Sequence, residues 1–227
     1  MNLKDMFRHQ TVSWATWADF IVIERDGVRY LAPEPNAMKM IYNCAQEPGE
    51  LVADALELGR RLTLDAPEKD GLCAAFAARY GLLGLGQGKD PAPSEETDLQ
   101  PSSSRISSSD EYGEDLEQFQ NAFKTLFQHF DAVGKIGAER PKYVGKTLTG
   151  SLNFRLTGGA MPHFSWKIPS LKSFIHFCYS VLISSERQSL KVCKNCGRVY
   201  YNSNPKSEFC GTKCRNQFNV RAFRGKN

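Results

Sequence analysis

Long hydrophobic runs are missing from this 227-residue sequence. Its most apolar stretch, residues 174–183, is about half of the roughly 20 residues that a membrane-spanning helix needs. The first residues lack the apolar core of a secretory signal. No phosphate-binding loop, Ser/His/acid set or paired-carboxylate motif can be recognised either. The sequence therefore predicts a cytoplasmic chain without a membrane partner and without enzymatic activity.

Acidic residues are scarce near the end of the chain. Residues 190–227 hold nine lysines and arginines but a single acid, Glu208, so their formal charge is +8. The preceding 189 residues hold twenty basic and twenty-four acidic side chains, which gives −4. A basic tail on an acidic body predicts that the tail contacts an anionic partner.

A glycine-rich run at 81–88 resembles a dinucleotide-binding fingerprint only superficially. Such a fingerprint follows a strand and opens a helix. Here the run follows an Ala-rich segment and leads into residues 86–111, which consist mainly of Gly, Pro, Ser and acids. We therefore predict no cofactor site at this run.

Residues 86–112 are predicted to be a flexible linker or loop, because their composition offers almost nothing to bury. Two interpretations stay open: the segment separates two domains, or it is an exposed insertion within one. It divides the chain into an N-terminal part, 1–85, a second helical part, 113–189, and the basic tail, 190–227.

The N-terminal part opens with a predicted β-hairpin. Residues 19–24 and 28–32 are rich in β-branched and aromatic side chains, and Asp26-Gly27 between them fits a two-residue type I′ turn. Apolar residues at helical spacing then predict a helix from Pro48 and a second helix over 67–81.

The second part is predicted to be mainly helical. Residues 113–134 carry a broad phenylalanine-rich stripe, with His129 at its edge as a structural residue. A last body helix follows Pro169, and the mixed span 140–168 is predicted to form short strands. The fold class is therefore α+β: a mostly α-helical body with an N-terminal β-hairpin and a C-terminal treble-clef zinc finger.

Cysteine is concentrated in the tail. Two of the remaining cysteines, Cys73 and Cys178, lie among apolar residues and are interpreted as core side chains. The tail cysteines follow the pattern Cys-x2-Cys, thirteen residues, Cys-x3-Cys. The predicted ligands of one structural zinc ion are Cys193, Cys196, Cys210 and Cys214.

The local sequence supports this zinc site. Gly197 can adopt the positive φ that a knuckle between the first two ligands often requires. Thr212 is the predicted N-cap of a helix whose first turn contains Cys214, where the helix dipole favours a thiolate. Knuckle, hairpin and ligand-bearing helix together make a treble clef.

Three other uses of these cysteines are less compatible with the sequence. A thioredoxin-type redox pair would need a βαβ context and would leave the second pair unexplained. Two disulfides would need an oxidising compartment. Catalytic zinc usually keeps an open position with His or carboxylate ligands, whereas four cysteines close the shell.

The helix after the last cysteines is the predicted nucleic-acid contact. Successive helical residues are 100° apart, so three cations and one glutamine lie along the same face of this helix. The preceding hairpin adds two more cations that could contact phosphate. Amides of Asn216, Gln217 and Asn219 could read adenine. The predicted phosphate-binding residues are Lys213, Gln217, Arg221, Arg224, Arg198 and Lys206.

Residues 190–225 resemble the CGNR-type zinc finger of bacterial proteins thought to be transcription regulators, some of which carry an ABATE domain. The match consists of the Cys-x2-Cys-Gly-Arg knuckle at 193–198, Phe209-Cys210, and a basic helix with Asn216 and Arg224. The signature tetrapeptide differs, since residues 214–217 read Cys-Arg-Asn-Gln. The resemblance implies a zinc-binding, DNA-binding regulator. The alternative is a zinc-stabilised protein-interaction module, and homo-oligomerisation stays open.

Overall fold

The computed structural model describes residues 3–7, 12–64, 67–85, 112–134, 148, 153–157, 163–167, 169–185, 189–204 and 206–224. Within these residues the chain is a mixed α+β protein whose antiparallel sheets are small. The α+β class predicted from the sequence is confirmed at this level.

The helices are α1 (Leu3–Met6), α2 (Pro48–Thr63), α3 (Lys69–Tyr80), α4 (Leu116–Gly134), α5 (Leu171–Ile183) and α6 (Thr212–Arg224). The strands are β1 (Ser13–Trp17), β2 (Phe20–Arg25), β3 (Val28–Pro33), β4 (Lys39–Asn43), β5 (Glu114–Asp115), β6 (Asn153–Thr157), β7 (His163–Lys167), β8 (Leu190–Val192) and β9 (Val199–Tyr201). They pair as β1–β4, β2–β3–β5, β6–β7 and β8–β9.

Helix α2 lies at the centre of the hydrophobic core and contacts α3, α4, α5 and β9. Its predicted apolar stripe is buried, from Leu51 through Leu58 to Leu62. Helix α4 comes very close to it at Gly59, where an added Cβ atom would lie 2.2 Å from the carbonyl oxygen of Phe123. Helix α2 therefore connects the body to the hairpin of the basic tail.

The predicted hairpin is confirmed. Strands β2 and β3 pair antiparallel from Phe20↔Pro33 to Arg25↔Val28. Asp26 and Gly27 between them have φ values of 53° and 75°, and a type I′ turn requires positive φ at both central positions. The span 140–168, for which short strands were predicted, contains strands β6 and β7, and these two strands pair antiparallel.

Strands β1 and β4 were not predicted from the sequence. They pair from Ser13↔Asn43 to Trp17↔Lys39. Buried Thr16 in β1 interrupts the apolar pattern of a core strand, and its hydroxyl is satisfied by donating to the Ala77 carbonyl at 2.6 Å. Because this partner comes from α3, the local sequence alone gives no sign of it.

Helix α4 begins three residues later than the predicted start at 113. The preceding residues Glu114–Asp115 are drawn into the sheet as β5, opposite Tyr30 and Leu31 of β3. The Asp115 carboxylate then accepts a hydrogen bond from the Gln118 N–H at 2.9 Å and caps the helix.

Most of the predicted linker, residues 86–111, lies outside the described residues. Tyr112, its last residue, packs against Trp17 with ring centroids 4.8 Å apart. Residues from both sides of the segment, among them Leu56 and Phe123, belong to one hydrophobic core.

Glu114 gives a structural role to the described part of the glycine-rich run, residues 81–85. Its buried carboxylate accepts hydrogen bonds from the N–H groups of Leu83 and Leu85, at 2.9 and 2.8 Å, and from that of Gly84. Burial raises the pKa of this carboxyl, and the three donors oppose that effect. The N–H groups that could otherwise cradle a phosphate are thereby occupied by the protein itself.

Helix α5 begins as predicted, with the Ser170 hydroxyl accepting from the Ser173 N–H. Cys73 and Cys178 are completely buried, in agreement with their interpretation as core residues. His129 Nδ1 lies 2.7 Å from the Tyr179 hydroxyl, a structural contact between α4 and α5.

Candidate metal centre

The first cysteine pair lies on a tight turn between β8 and β9. The Gly197 N–H donates to the Cys193 carbonyl at 2.9 Å, and the Cys193 N–H donates to the Arg198 carbonyl at 2.9 Å. Gly197 has a φ of 71°, as predicted for the knuckle. These two hydrogen bonds close the turn that brings Cys193 and Cys196 together.

The second pair flanks the start of α6. The first α-helical hydrogen bond runs from the Arg215 N–H to the Gly211 carbonyl at 3.1 Å, which makes Gly211 the capping residue. The prediction of Thr212 at this position is therefore one residue late. Cys214 lies in the first turn as expected, and Cys210 directly precedes Gly211.

The four sulfur atoms converge. All four Sγ atoms lie within 4.8 Å of one another. The separation is 3.8 Å between Cys196 and Cys210, and 3.5 Å between Cys210 and Cys214. A single ion could therefore contact all four sulfur atoms, and the predicted ligand set is brought together in full.

The environment of Cys193 favours a thiolate. Burial raises the pKa of its thiol, but hydrogen bonds from the backbone N–H groups of Cys210, Cys196 and Asn195 outweigh burial and lower the pKa to about 6. For Cys210, burial and its sulfur neighbours raise the pKa. In contrast, burial raises the pKa of Cys44 and Cys73 in the body to about 12, so those thiols stay protonated.

The cysteine cluster is attached to the body through α2. The Val199 N–H, directly after the knuckle, donates to the Glu57 carboxylate at 3.0 Å. The Arg198 guanidinium lies 3.2 Å from the Asp54 carboxylate, which also accepts from Arg79 at 2.6 Å. We call Asp54, Glu57, Arg198 and Val199 the α2 clamp.

Close packing beside the α2 clamp completes this contact. The ring of Tyr201 lies over Gly49, where an added Cβ atom would be 2.7 Å from ring carbons. Sequence reasoning did not identify Gly49, Asp54 or Glu57. Their spacing on α2 is typical of a partly polar helix face, and nothing local indicates a partner more than a hundred residues away.

The predicted nucleic-acid contacts separate into two groups. Arg198 is engaged by Asp54, and Arg221 and Gln217 face the knuckle, where they lie 3.4 and 3.1 Å from the Asn195 amide. Lys206, Lys213 and Arg224 are exposed, and none of them forms an ion pair with another described residue. The structure therefore divides the predicted stripe, because half of it faces the protein's own knuckle.

Helix α6 has no buried residue. It contacts the loop before it through Phe218, whose ring packs on Phe209 with centroids 5.2 Å apart. Phe223 is 70% exposed and Val220 is 50% exposed. The helix thus presents most of its surface to solvent.

Comparison with protein-family models, with curated proteins and with solved structures finds no match for the chain. Among the described residues, no helix is both long enough and apolar enough to cross a membrane.

Proposed function

We propose that residues 190–224 form a zinc-stabilised treble-clef finger that binds DNA through α6. The observation that carries the proposal is the combination of four convergent cysteines with an exposed helix of one charge sign. Helix α6 contains four cations, Lys213, Arg215, Arg221 and Arg224, and no acid.

Zinc is the ion that this donor set suits best. Tetrahedral coordination with Zn–S distances of about 2.3 Å puts sulfur atoms about 3.8 Å apart. The distances of 3.8 and 3.5 Å in the cluster are close to this value. Four thiolates leave no open coordination position, so the zinc is proposed to be structural rather than catalytic.

The charge distribution favours a nucleic acid as the partner. Lys213, Arg215 and Arg224 are exposed along α6, and Lys206 on the preceding loop adds a fourth cation. Phosphate contacts by such side chains release counterions and supply affinity that does not depend on sequence. Arg198 is excluded from this contact set because it pairs with Asp54.

The resemblance of the tail to CGNR-type fingers extends the proposal to transcription regulation in a bacterial cytoplasm. None of the seven cysteines forms a disulfide, and a reducing compartment would keep them in that state. The body, which holds the finger through the α2 clamp, would then sense a signal or dimerise.

A protein-interaction module is the second candidate. The observation in its favour is the exposed pair Val220 and Phe223, since large exposed apolar residues on one helix are typical of a docking surface. In that case α6 would bind a partner protein, and its cations would serve only solubility.

Metal analysis tests the zinc site. Native mass spectrometry of the full chain should show one zinc ion per chain, and the Cys193→Ser/Cys196→Ser variant should lose it. The matched control is Cys73→Ser, which alters a buried core thiol and should keep the metal. An unchanged metal content in the double variant would contradict the proposed ligand set.

A DNA titration tests the partner. Fluorescence anisotropy with a generic duplex should show binding that weakens with salt, and Lys213→Gln/Arg224→Gln should reduce the slope of log K against log salt by about 0.9 for each phosphate that is no longer neutralised. Arg61→Gln, an exposed cation on α2, is the control and should leave the slope unchanged. Absence of binding at low salt would reject DNA and favour the protein-interaction module.

A further inference from the structure

The contacts of α6 define which of its faces points away from the finger. Cys214 lies at the sulfur cluster, Phe218 packs on Phe209, and Gln217 accepts a hydrogen bond from Asn195. Successive helical residues are 100° apart, so the opposite side of the helix can be assigned. We define the outward face as Thr212, Asn216, Asn219 and Phe223.

The outward face carries two amides and an aromatic ring. Within the described part of the chain, neither Asn216 nor Asn219 has a hydrogen-bonding partner for its side chain, and both residues are exposed. Asn216 and Asn219 are three residues apart and therefore neighbours on the helix surface. Phe223 completes the face, with Val220 at its edge.

Cations flank the outward face on both sides. From the same 100° spacing, Lys213 and Arg224 lie along one flank and Arg215 along the other. No acid lies anywhere in α6. A helix with amides along its middle and cations on both edges complements a major groove, in which base edges lie between two anionic phosphate backbones.

We propose that the outward face of α6 enters the major groove of duplex DNA and prefers A·T base pairs. This inference rests on the proposed DNA-binding function. An asparagine amide can accept from adenine N6–H and donate to N7, and an apolar side chain such as Phe223 can contact the thymine methyl group. The face has no arginine for guanine and no carboxylate for cytosine.

The dimensions of α6 agree with this occupant. A helix of 13 residues is about 20 Å long and about 10–12 Å wide with its side chains, and the major groove is about 12 Å wide. The α2 clamp holds the hairpin side of the finger, and all four residues of the outward face are exposed. The helix is therefore presented with this face open to a partner.

The test compares two pools of equal-length duplexes, one with a randomised A·T core and the other with a randomised G·C core. The zinc-loaded full chain should bind the A·T pool more tightly, and each adenine contact should contribute about 5- to 150-fold of discrimination. Asn216→Ala/Asn219→Ala should abolish the preference and keep the salt slope. Asn121→Ala, an exposed helical asparagine on α4, is the matched control and should preserve both.

Duplexes with modified bases test whether α6 contacts the bases from the major groove. Replacing adenine by 7-deazaadenine removes the N7 acceptor from the major groove, and replacing thymine by uracil removes the methyl group. Both replacements should lower affinity for the A·T pool. Undiminished binding of the 7-deazaadenine duplex would overturn the major-groove assignment.

The remaining outcomes distinguish this inference from the proposed function. Equal affinity for both pools with a normal salt slope would overturn the A·T preference and leave DNA binding intact. Failure to bind either pool at low salt would overturn both, and would direct attention to a protein partner for Val220 and Phe223.

Discussion

Two helical glycines with opposite surroundings show how strongly single positions constrain this molecule. Gly59 lies where α2 meets α4, and an added Cβ atom would be 2.2 Å from the Phe123 carbonyl oxygen. Gly71 in α3 has no atom within 4 Å of the same hypothetical Cβ. Both residues are in helices, so any difference in their response to alanine comes from packing rather than from helix propensity.

We expect Gly59→Ala to destabilise the protein and Gly71→Ala to stabilise it. Overpacking of a close helix contact costs about 1–3 kcal/mol, and more where the neighbour is backbone that cannot rotate away. Removing an unconstrained helical glycine contributes roughly 0.5–1 kcal/mol of stability. Urea unfolding of the metal-loaded chain, followed by circular dichroism, measures both effects. A neutral Gly59→Ala variant would contradict the close approach of α4 to α2.

At the scale of elements, the clearest predictions from sequence came from local signals. The apolar stripe of α2, the Asp26-Gly27 turn and Pro169 before α5 each lie within a few residues of the structure that they specify. Strands β1 and β4 were missed because their buried threonine depends on a carbonyl from α3. The start of α4 was displaced because β3 takes the preceding residues into a sheet.

The distinction between local sequence signals and contacts from distant residues also holds for the site. The four cysteines could be predicted because the spacing of metal ligands can be read directly from the sequence. The structure brings the four side chains together. The division of the basic stripe could not be predicted. It depends on Asn195, which approaches Gln217 and Arg221 only after the knuckle has folded.

The α2 clamp should contribute to the order of the hairpin. Glu57→Ala removes the acceptor of the buried Val199 N–H, and an unpaired buried donor costs about 1–3 kcal/mol. Asp54→Ala should cost less than about 1 kcal/mol through the Arg198 pair, because that guanidinium is about half exposed. Hydrogen exchange measures the result: the Val199 amide should exchange faster in Glu57→Ala.

Glu57→Gln is the control for this experiment. It keeps a side-chain oxygen that can accept from Val199 and should retain more protection than the alanine variant. Equal protection of Val199 in the wild type and in Glu57→Ala would show that the clamp does not hold the hairpin.

For the whole molecule, we expect the proposed zinc ion and the hydrophobic core of the body to contribute different parts of the stability. The shared core contains residues from α2, α4 and α5, whereas α6 has no buried residue and the finger contributes few apolar side chains. A small module with so little to bury needs a cross-link such as a metal to fold.

Chelation should therefore unfold residues 190–224 first and leave the helices of the body in place. We expect proteolysis to cut within the tail of the chelated chain, with most of the helical circular dichroism retained. The melting temperature of the body should also fall, because the face of α2 around Gly49 loses its cover. Simultaneous collapse of tail and body on chelation would contradict this division.

The contact of Tyr201 and the knuckle with α2 corresponds to a sequence pattern in two separate segments of the chain. It reads Gly-x4-Asp-x2-Glu at 49–57, followed much later by Cys-x2-Cys-Gly-Arg-Val at 193–199. Related chains that keep this contact should retain both segments of the pattern. Chains whose finger packs against a different element should have lost the first segment. Fusing the tail alone to another protein would remove the cysteines from the helix that supports them. A functional fusion would therefore have to include α2 as well.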